Sequence, residues 1–316
     1  MFAKEDFDIL LEHRRWDHAI KLIPGAEPKL SKVYLLSPLE QTKLDAFLEE
    51  NLCTRCIQPS KSAPVFFIKK KDGSLQLVQD YYALNAVTVK NRYPLPLISE
   101  LVSQLHRAKY FTKLDVQWGF NNVCIKSRDE WKAAFCTNHG LFEPLVMFFG
   151  ITNSPATFQT IMNDIFRTFI AKEIVAMYLD NILIFMEMEQ EHERAVWRVL
   201  EVLAEHKLFF HPEKCEFHWK QIEYLRLVIS ENKVEMDSVK VAGVCDWPTP
   251  ENQTDMQAFI DFVNFYRHFI QDFSTITRPL FDLTHSNKTW NWDAKEQKAF
   301  EHLKMAVTTA PVLVSP

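Results

Sequence analysis

The chain predicts an α+β fold built around a mostly antiparallel sheet. Apolar β-type runs alternate with helical periods along most of its 316 residues, and several of those runs are joined by tight-turn sequences, as hairpins are. Only six glycines occur, and none falls in a GxGxxG or Walker pattern. A doubly wound, glycine-loop nucleotide fold is therefore excluded, and any nucleotide binding must use metals and side chains.

Taken in order, residues 1–36 carry Pro24, Gly25 and Pro28 with no sustained period and read as an arm or linker. Ser37-Pro38-Leu39-Glu40 is a capping box with proline at the first helical position, which predicts a helix to about Leu52. Ala63–Lys69 and Ser74–Gln79 flank Lys71-Asp72-Gly73, a strong hairpin signal. Pro94 and Pro96 introduce a helix to about His106, with Leu97, Leu101 and Leu105 on one face. A strand ending at Asp115 comes next.

Trp131–Thr137 and Leu141–Met147 pair around Asn138-His139-Gly140. Asn153 or Ser154, with Pro155, starts a helix over Ala156–Ile170. The apolar runs Ile174–Met177 and Ile182–Phe185 make a hairpin whose tip is Tyr178-Leu179-Asp180-Asn181. An amphipathic helix spans about Gln190–His206, and strands near Ile222–Ser230 and Val234–Met236 flank Glu231-Asn232-Lys233. The remainder is helical: about Asp237–Cys245, Thr254–Ile270 and Ala294–Val307.

At 47% hydrophobic the chain can bury a sizeable core, and no apolar run approaches the ~18 residues of a membrane span. The polar N-terminus does not resemble a secretory signal, and six scattered cysteines predict reduced thiols in an intracellular protein. Net charge is −5, but its distribution is uneven. From Arg55 to Lys113 ten basic residues face three acidic ones, whereas Leu114–Glu205 holds seven basic and thirteen acidic. That order suits a phosphate-binding surface beside a metal site, although a solvated surface of uneven charge has the same counts.

Asp115 on a strand and Asp180 at a later hairpin tip can converge on divalent cations, as phosphoryl transfer requires. Each also has a plainer meaning, since Asp-Asn is a favoured turn dipeptide and a strand-ending Asp often caps the next segment of backbone. Cys53-x-x-Cys56 and Cys215-x-x-His218 have zinc-like spacings, but nothing else in the sequence brings them together, and they read as ordinary thiols.

The stretches APVFFIKKKDGSLQLVQDYYALN, NRYPLPLISEL, KYFTKLDV, EWKAAFCTNHGLFEPLVMFFGITNSPATFQ, YLDNILIF, HKLFFHPEKCEF and VAGVCDWPTPENQTDMQAFIDFVNFYRHFI occur in this order. With them the chain resembles the reverse transcriptase segment of a Ty3/gypsy-type LTR retrotransposon polyprotein, from about residue 30 to the end. The resemblance implies a right-hand polymerase: an arm at 1–30, fingers at 31–108, palm at 109–230 and thumb at 231–275. It also implies that 276–316 begins a connection toward a ribonuclease H domain that is absent. Expected partners are an RNA template, a DNA primer, the RNA–DNA hybrid and deoxynucleoside triphosphates. By analogy the setting is a cytoplasmic particle or the nucleus.

Carried over by position, Asp115 and Asp180 would hold two Mg²⁺ (or Mn²⁺) ions about 3.5–4 Å apart. Phe120 falls where the family excludes a ribose 2′-hydroxyl, or is a core aromatic. Lys69, Lys70 and Lys71 fall on the fingers hairpin that meets the triphosphate, or are a solvated charge run. Phe149, Gly150 and Gln159 match the segment lining the nucleotide pocket and template. Trp247, Phe262, Phe265 and Tyr266 match the thumb, where helix packing explains most of them.

The departures from the family pattern are specific. Asn181 stands where a second hairpin Asp is usual, Gln76 where Arg or Lys grips the triphosphate, Tyr82 where Arg is frequent and Arg226 where Gly is. The Ser62-Ala63-Pro64 join is a few residues short. A unit charge at 4 Å is worth on the order of 4 kcal/mol at an effective dielectric of 20, so losing it in the transition state slows the rate roughly a thousandfold. The expectation is therefore a polymerase with impaired catalysis. The alternatives are a nucleic-acid-binding remnant without chemistry, or a repurposed interaction scaffold.

Overall fold

The computed structural model describes residues 13–28, 36–60, 65–69, 75–105, 107–267, 270–285 and 290–308. Among these residues twelve strands and ten α-helices alternate, in an α+β arrangement.

The Ser37 capping box forms. Glu40 N–H donates to Ser37 Oγ at 3.4 Å, and Ser37 N–H donates to the Glu40 carboxylate at 2.7 Å, opening α1 (Pro38–Cys53). A strand the sequence did not signal, β1 (Ile57–Ser60), comes next. β2 (Val65–Lys69) and β3 (Leu75–Gln79) pair antiparallel as predicted, with Lys69 opposite Leu75 and Ile68 opposite Gln76. Their turn, with Lys70 and Lys71, lies outside the described residues. α2 (Tyr82–Val87) is short, and α3 (Ile98–Ser103) starts only after Leu97, where Pro94 and Pro96 hold the chain extended, and gives way to a turn at Gln104.

β4 (Tyr110–Asp115) is followed by two 3₁₀ turns, at 119–122 and 130–133, so Trp131–Ala133 is not strand. β5 (Phe135–Thr137) and β6 (Gly140–Pro144) form the Asn138-His139-Gly140 hairpin. The helix expected over Ala156–Ile170 is two: α4 (Ser154–Ile165) and α5 (Arg167–Ala171). They break at Phe166, which leaves helical geometry with its ring fully buried. β7 (Val175–Tyr178) and β8 (Asn181–Met186) meet in a two-residue turn, and α6 (Glu189–Glu205) comes after them.

After β9 (Glu216–Trp219) the expected single strand Ile222–Ser230 is a hairpin, β10 (Gln221–Tyr224) and β11 (Leu227–Ser230). Leu225 and Arg226 turn it, at φ +50° and +66°. β12 (Lys233–Met236) completes that sheet, and α7 (Ser238–Cys245), α8 (Gln253–Asn264), α9 (Phe273–Leu283) and α10 (Ala294–Thr308) end the chain. The register pairs β1–β6, β2–β3, β4–β9, β5–β6, β10–β11 and β11–β12 are all antiparallel. A four-stranded sheet runs β7-β8-β4-β9.

The chain divides into two units, and the division passes through β4, β8 and α6. The first comprises 1–96, 114–182 and 197–215, and the second comprises 97–113, 183–196 and 216–316. The first unit centres on Ile20, Leu44, Ile57, Ile125, Phe135 and Val146, all nearly or fully buried. In the second, Val244, Met256, Phe259, Val263, Phe300 and Leu303 interlock α7, α8 and α10, with Asn252 capping α8 through Asp255 N–H at 3.0 Å. Ile20 in that first core makes the segment 13–28 part of the fold and not a free linker. Its main chain bonds to Cys124, Val87 and Val89. No helix among the described residues is long and apolar enough to cross a membrane.

Candidate active site

Asp115 ends β4, where Phe111 and Leu114 point into the interior and leave the carboxylate partly exposed. The backbone is gripped from both sides. Val116 N–H donates to Asp180 O at 2.9 Å, while Asp115 O accepts His211 N–H at 3.0 Å and Gln117 N–H reaches Phe209 O at 2.8 Å. The first of these bonds ties the strand end directly to the β7–β8 turn, and so brings the two predicted carboxylates to one place. Their proximity is also electrostatic: burial raises the Asp180 pKa above the ordinary carboxylate value, and the Asp115 charge pushes it the same way.

Two neighbours offset that repulsion. Lys214 Nζ lies 3.5 Å from Asp115 Oδ1 and lowers the Asp180 pKa as well. Asn181 Nδ2 donates to Asp180 Oδ1 at 3.0 Å, so its side chain acts here as a hydrogen-bond donor. Sequence reasoning gave Lys214 no role. Its signal was HPEK, which folds as a 3₁₀ turn from Pro212 to Lys214 directly after the His211–Asp115 bond.

The turn itself is strained. Leu179 sits at φ +54°, a conformation unfavourable for a side chain with a Cβ. Gln159, fully buried on α4, holds it: its Oε1 accepts Leu179 N–H at 2.8 Å and its Nε2 donates to Asn163 Oδ1 at 2.8 Å. Gln159 thus acts on the hairpin, with its amide committed internally.

Phe120 lies next to this turn. A Cβ on Gly119 would stand 3.3 Å from the Phe158 ring and 3.5 Å from Asp180 Cβ, so only a small residue fits between Trp118 and Phe120. Phe120 meets Phe149 edge-on at 5.1 Å and Phe158 at 5.7 Å, and Phe149 is 49% exposed. Gly150 has φ +99°, and a Cβ there would meet Gln79 O and the Tyr81 ring at 3.3 Å. Its carbonyl accepts Asn85 Nδ2 at 2.7 Å, and Thr152 N–H donates to Asn85 Oδ1 at 2.9 Å. This docks the 149–154 turn on the exit of the β2–β3 hairpin.

Lys69 and Gln76 lie on β2 and β3 near the hairpin's turn end, one pair apart in register. Tyr82, at the start of α2, is exposed to solvent. The structure therefore assembles Asp115, Asp180, Asn181, Phe120, Phe149, Gly150 and Gln159 into one neighbourhood and adds Lys214 to it.

Residues 68–229 match the family model described as "Reverse transcriptase (RNA-dependent DNA polymerase)". The chain is 35% identical over 283 residues to the transposon Tf2-7 polyprotein of Schizosaccharomyces pombe (strain 972 / ATCC 24843), and 35% identical over 284 residues to Tf2-3 of the same organism. These elements are LTR retrotransposons of the Ty3/gypsy type. The match covers 89% of this chain and 21% of each polyprotein, so the chain spans about a fifth of those relatives.

Among solved structures, a foamy viral protease-reverse transcriptase in complex with double-stranded DNA superposes with TM-score 0.84 at 21% identity, over 95% of this chain and 53% of that one. The same kind of protein in complex with an RNA/DNA hybrid gives 0.81 at 20%, over 94% and 41%. The fold is that of the right-hand polymerases, and with a family match across half its length the chain belongs to the reverse transcriptase (RNA-dependent DNA polymerase) family.

Proposed function

We propose that this chain is the polymerase portion of a retrotransposon polyprotein, extending a DNA primer on an RNA or DNA template, and that Asn181 limits its rate. The observation that carries the proposal is the convergence of Asp115 and Asp180 through the Val116–Asp180 main-chain bond, with Asp180 raised in pKa by burial and by its neighbour. Two carboxylates crowded in this way fit hard divalent cations, which relieve the repulsion. Asp115 and Asp180 would hold Mg²⁺ or Mn²⁺, and the ions would supply activation of the primer 3′-hydroxyl and neutralisation of the leaving pyrophosphate.

The chain's own residues do the rest. Gln159 fixes the turn that carries Asp180, and Gly119 lets the Phe120 backbone approach it. The half-exposed ring of Phe149 beside Phe120 offers an apolar wall to a sugar, which suits exclusion of a 2′-hydroxyl. Lys69, Lys70 and Lys71 would meet the triphosphate from the β2–β3 hairpin, with Gln76 contributing no charge. Asn181 gives the site an amide where a carboxylate would add a unit of negative charge. The subdivision proposed is fingers at 31–108, palm at 109–230, thumb at 231–275 and the start of a connection at 276–316. That foamy viral relatives were captured on double-stranded DNA and RNA/DNA hybrid supports nucleic acid as the partner.

A second reading is a module that binds hybrid without chemistry. It is favoured by one observation: Lys214 and Asn181 already satisfy part of the charge on Asp115 and Asp180. Primer extension on a primed RNA template, with Mg²⁺ and then Mn²⁺, separates the two. Metal-dependent extension abolished by Asp115→Asn supports the polymerase. Salt-sensitive hybrid binding with no extension from the folded protein supports the module.

A further inference from the structure

We propose that His13, Asp17 and Cys124 form a metal site of the zinc class, apart from the two-carboxylate site, that pins the segment 13–28 to the strand-like run 123–126. Their ligand atoms all lie within 4.8 Å of one another. An imidazole, a carboxylate and a thiolate suit Zn²⁺, and poorly suit Mg²⁺ or Ca²⁺. The donor charges also balance: thiolate and carboxylate together neutralise a divalent ion, with the imidazole neutral.

The scaffold is built for this arrangement. His18 N–H donates to Cys124 O at 2.8 Å and Lys126 N–H donates to His18 O at 2.8 Å, which sets Asp17 and Cys124 side by side by register. His13 Nδ1 faces the Asp17 carboxylate, while His13 Nε2 lies 3.3 Å from Ser127 Oγ. A cation would replace the proton at Nδ1, leaving Nε2–H to donate to Ser127, the outer hydrogen bond that metal-bound imidazoles usually have. The other Asp17 oxygen accepts Arg14 N–H at 2.9 Å.

Cys124 is buried and the Asp17 side chain is 12% exposed, but His13 is 56% exposed, so one side is open to a water as fourth ligand. Ligands at ~2.0–2.3 Å from zinc stand roughly 3.3–3.8 Å apart, so the shorter His13–Asp17 contact must open to admit an ion, a movement that exposed His13 is free to make. Arg14 is the adverse charge nearby, and its guanidinium is turned to His206 O with two bonds of 3.1 Å. Arg14, Asp17, Asn122 and Cys124 also line a small cavity beside the cluster.

The test titrates chelator-stripped protein with Zn²⁺ in excess Mg²⁺ against a chromophoric chelator. The expected result is one Zn²⁺ per chain, with affinity reduced by about tenfold or more in both His13→Gln and Cys124→Ser. Co²⁺ in its place should give a thiolate-to-metal absorption that Cys124→Ser removes, and a Cys53→Ser/Cys56→Ser variant should bind as the parent does. His13 is exposed, so its variant keeps the fold, which circular dichroism verifies. Absence of stoichiometric binding overturns the proposal. So does binding unchanged by His13→Gln, or binding lost with Cys53 and Cys56.

Discussion

Gln159 Oε1 accepts the main-chain N–H of Leu179 at 2.8 Å, so a fully buried helix residue holds the strained turn that presents Asp180. Gln159→Leu keeps the volume but leaves Leu179 N–H without this acceptor. Destabilisation of about 1–3 kcal/mol is expected. The extension rate should fall about ten- to a hundredfold through misplacement of Asp180. Denaturant unfolding and single-turnover extension measure the two effects separately.

Gly150 combines φ +99° with a 3.3 Å approach to Gln79 O, and an alanine satisfies neither. Gly150→Ala should cost roughly 1–3 kcal/mol. Because the 149–154 turn docks through Asn85, the same change should raise KM for the incoming nucleotide. A stability loss with unchanged KM would show that the turn does not line the nucleotide site.

Arg226 occupies the second position of the β10–β11 turn at φ +66°, next to Leu225 at +50°. Glycine is at ease there, whereas arginine pays a steric penalty. Arg226→Gly should therefore stabilise the protein by about 1 kcal/mol, less the extra freedom it gives the unfolded chain. The midpoint of urea unfolding should move upward.

How much of this the sequence disclosed depended on whether the signal was local. The Ser37 capping box and the Asn138-His139-Gly140 and Leu179-Asp180 turns were legible because turn and cap chemistry sits in consecutive residues. The break at Phe166 was not, since a buried ring anchored by tertiary packing overrode a continuous helical period. Nor was the split of Ile222–Ser230, because neither Leu nor Arg announces a left-handed turn. At the site, Asp115 and Asp180 were legible as a pair. Lys214 and the bond from Gln159 to Leu179 were not, because each depends on a contact between residues distant in sequence.

His192 is buried on α6. Its Nε2 is 2.8 Å from Thr112 Oγ1, its ring stands edge-on to His218 at 4.9 Å, and Tyr110, itself near Lys220, lies alongside. Burial, and secondarily His218, lowers its pKa to about 4. A folded-state value below the unfolded one gives stability that is complete above pH ~6.5 and is lost as pH falls toward 4, by at most about 3 kcal/mol. Buried His18, also lowered to about 4, adds a loss of the same sign. Unfolding free energies at pH 7 and pH 5 should show the decline, and His192→Gln should flatten part of it.

On the proposed function, Asn181 limits the rate at the site of Asp115 and Asp180. The most direct test is the single-turnover rate of primer extension with Mg²⁺ for the parent and for Asn181→Asp, with hybrid binding measured in parallel. Equal hybrid affinity and a faster variant, by up to roughly a thousandfold, are expected. A folded, hybrid-binding Asn181→Asp protein that extends no faster than its parent would contradict that proposal.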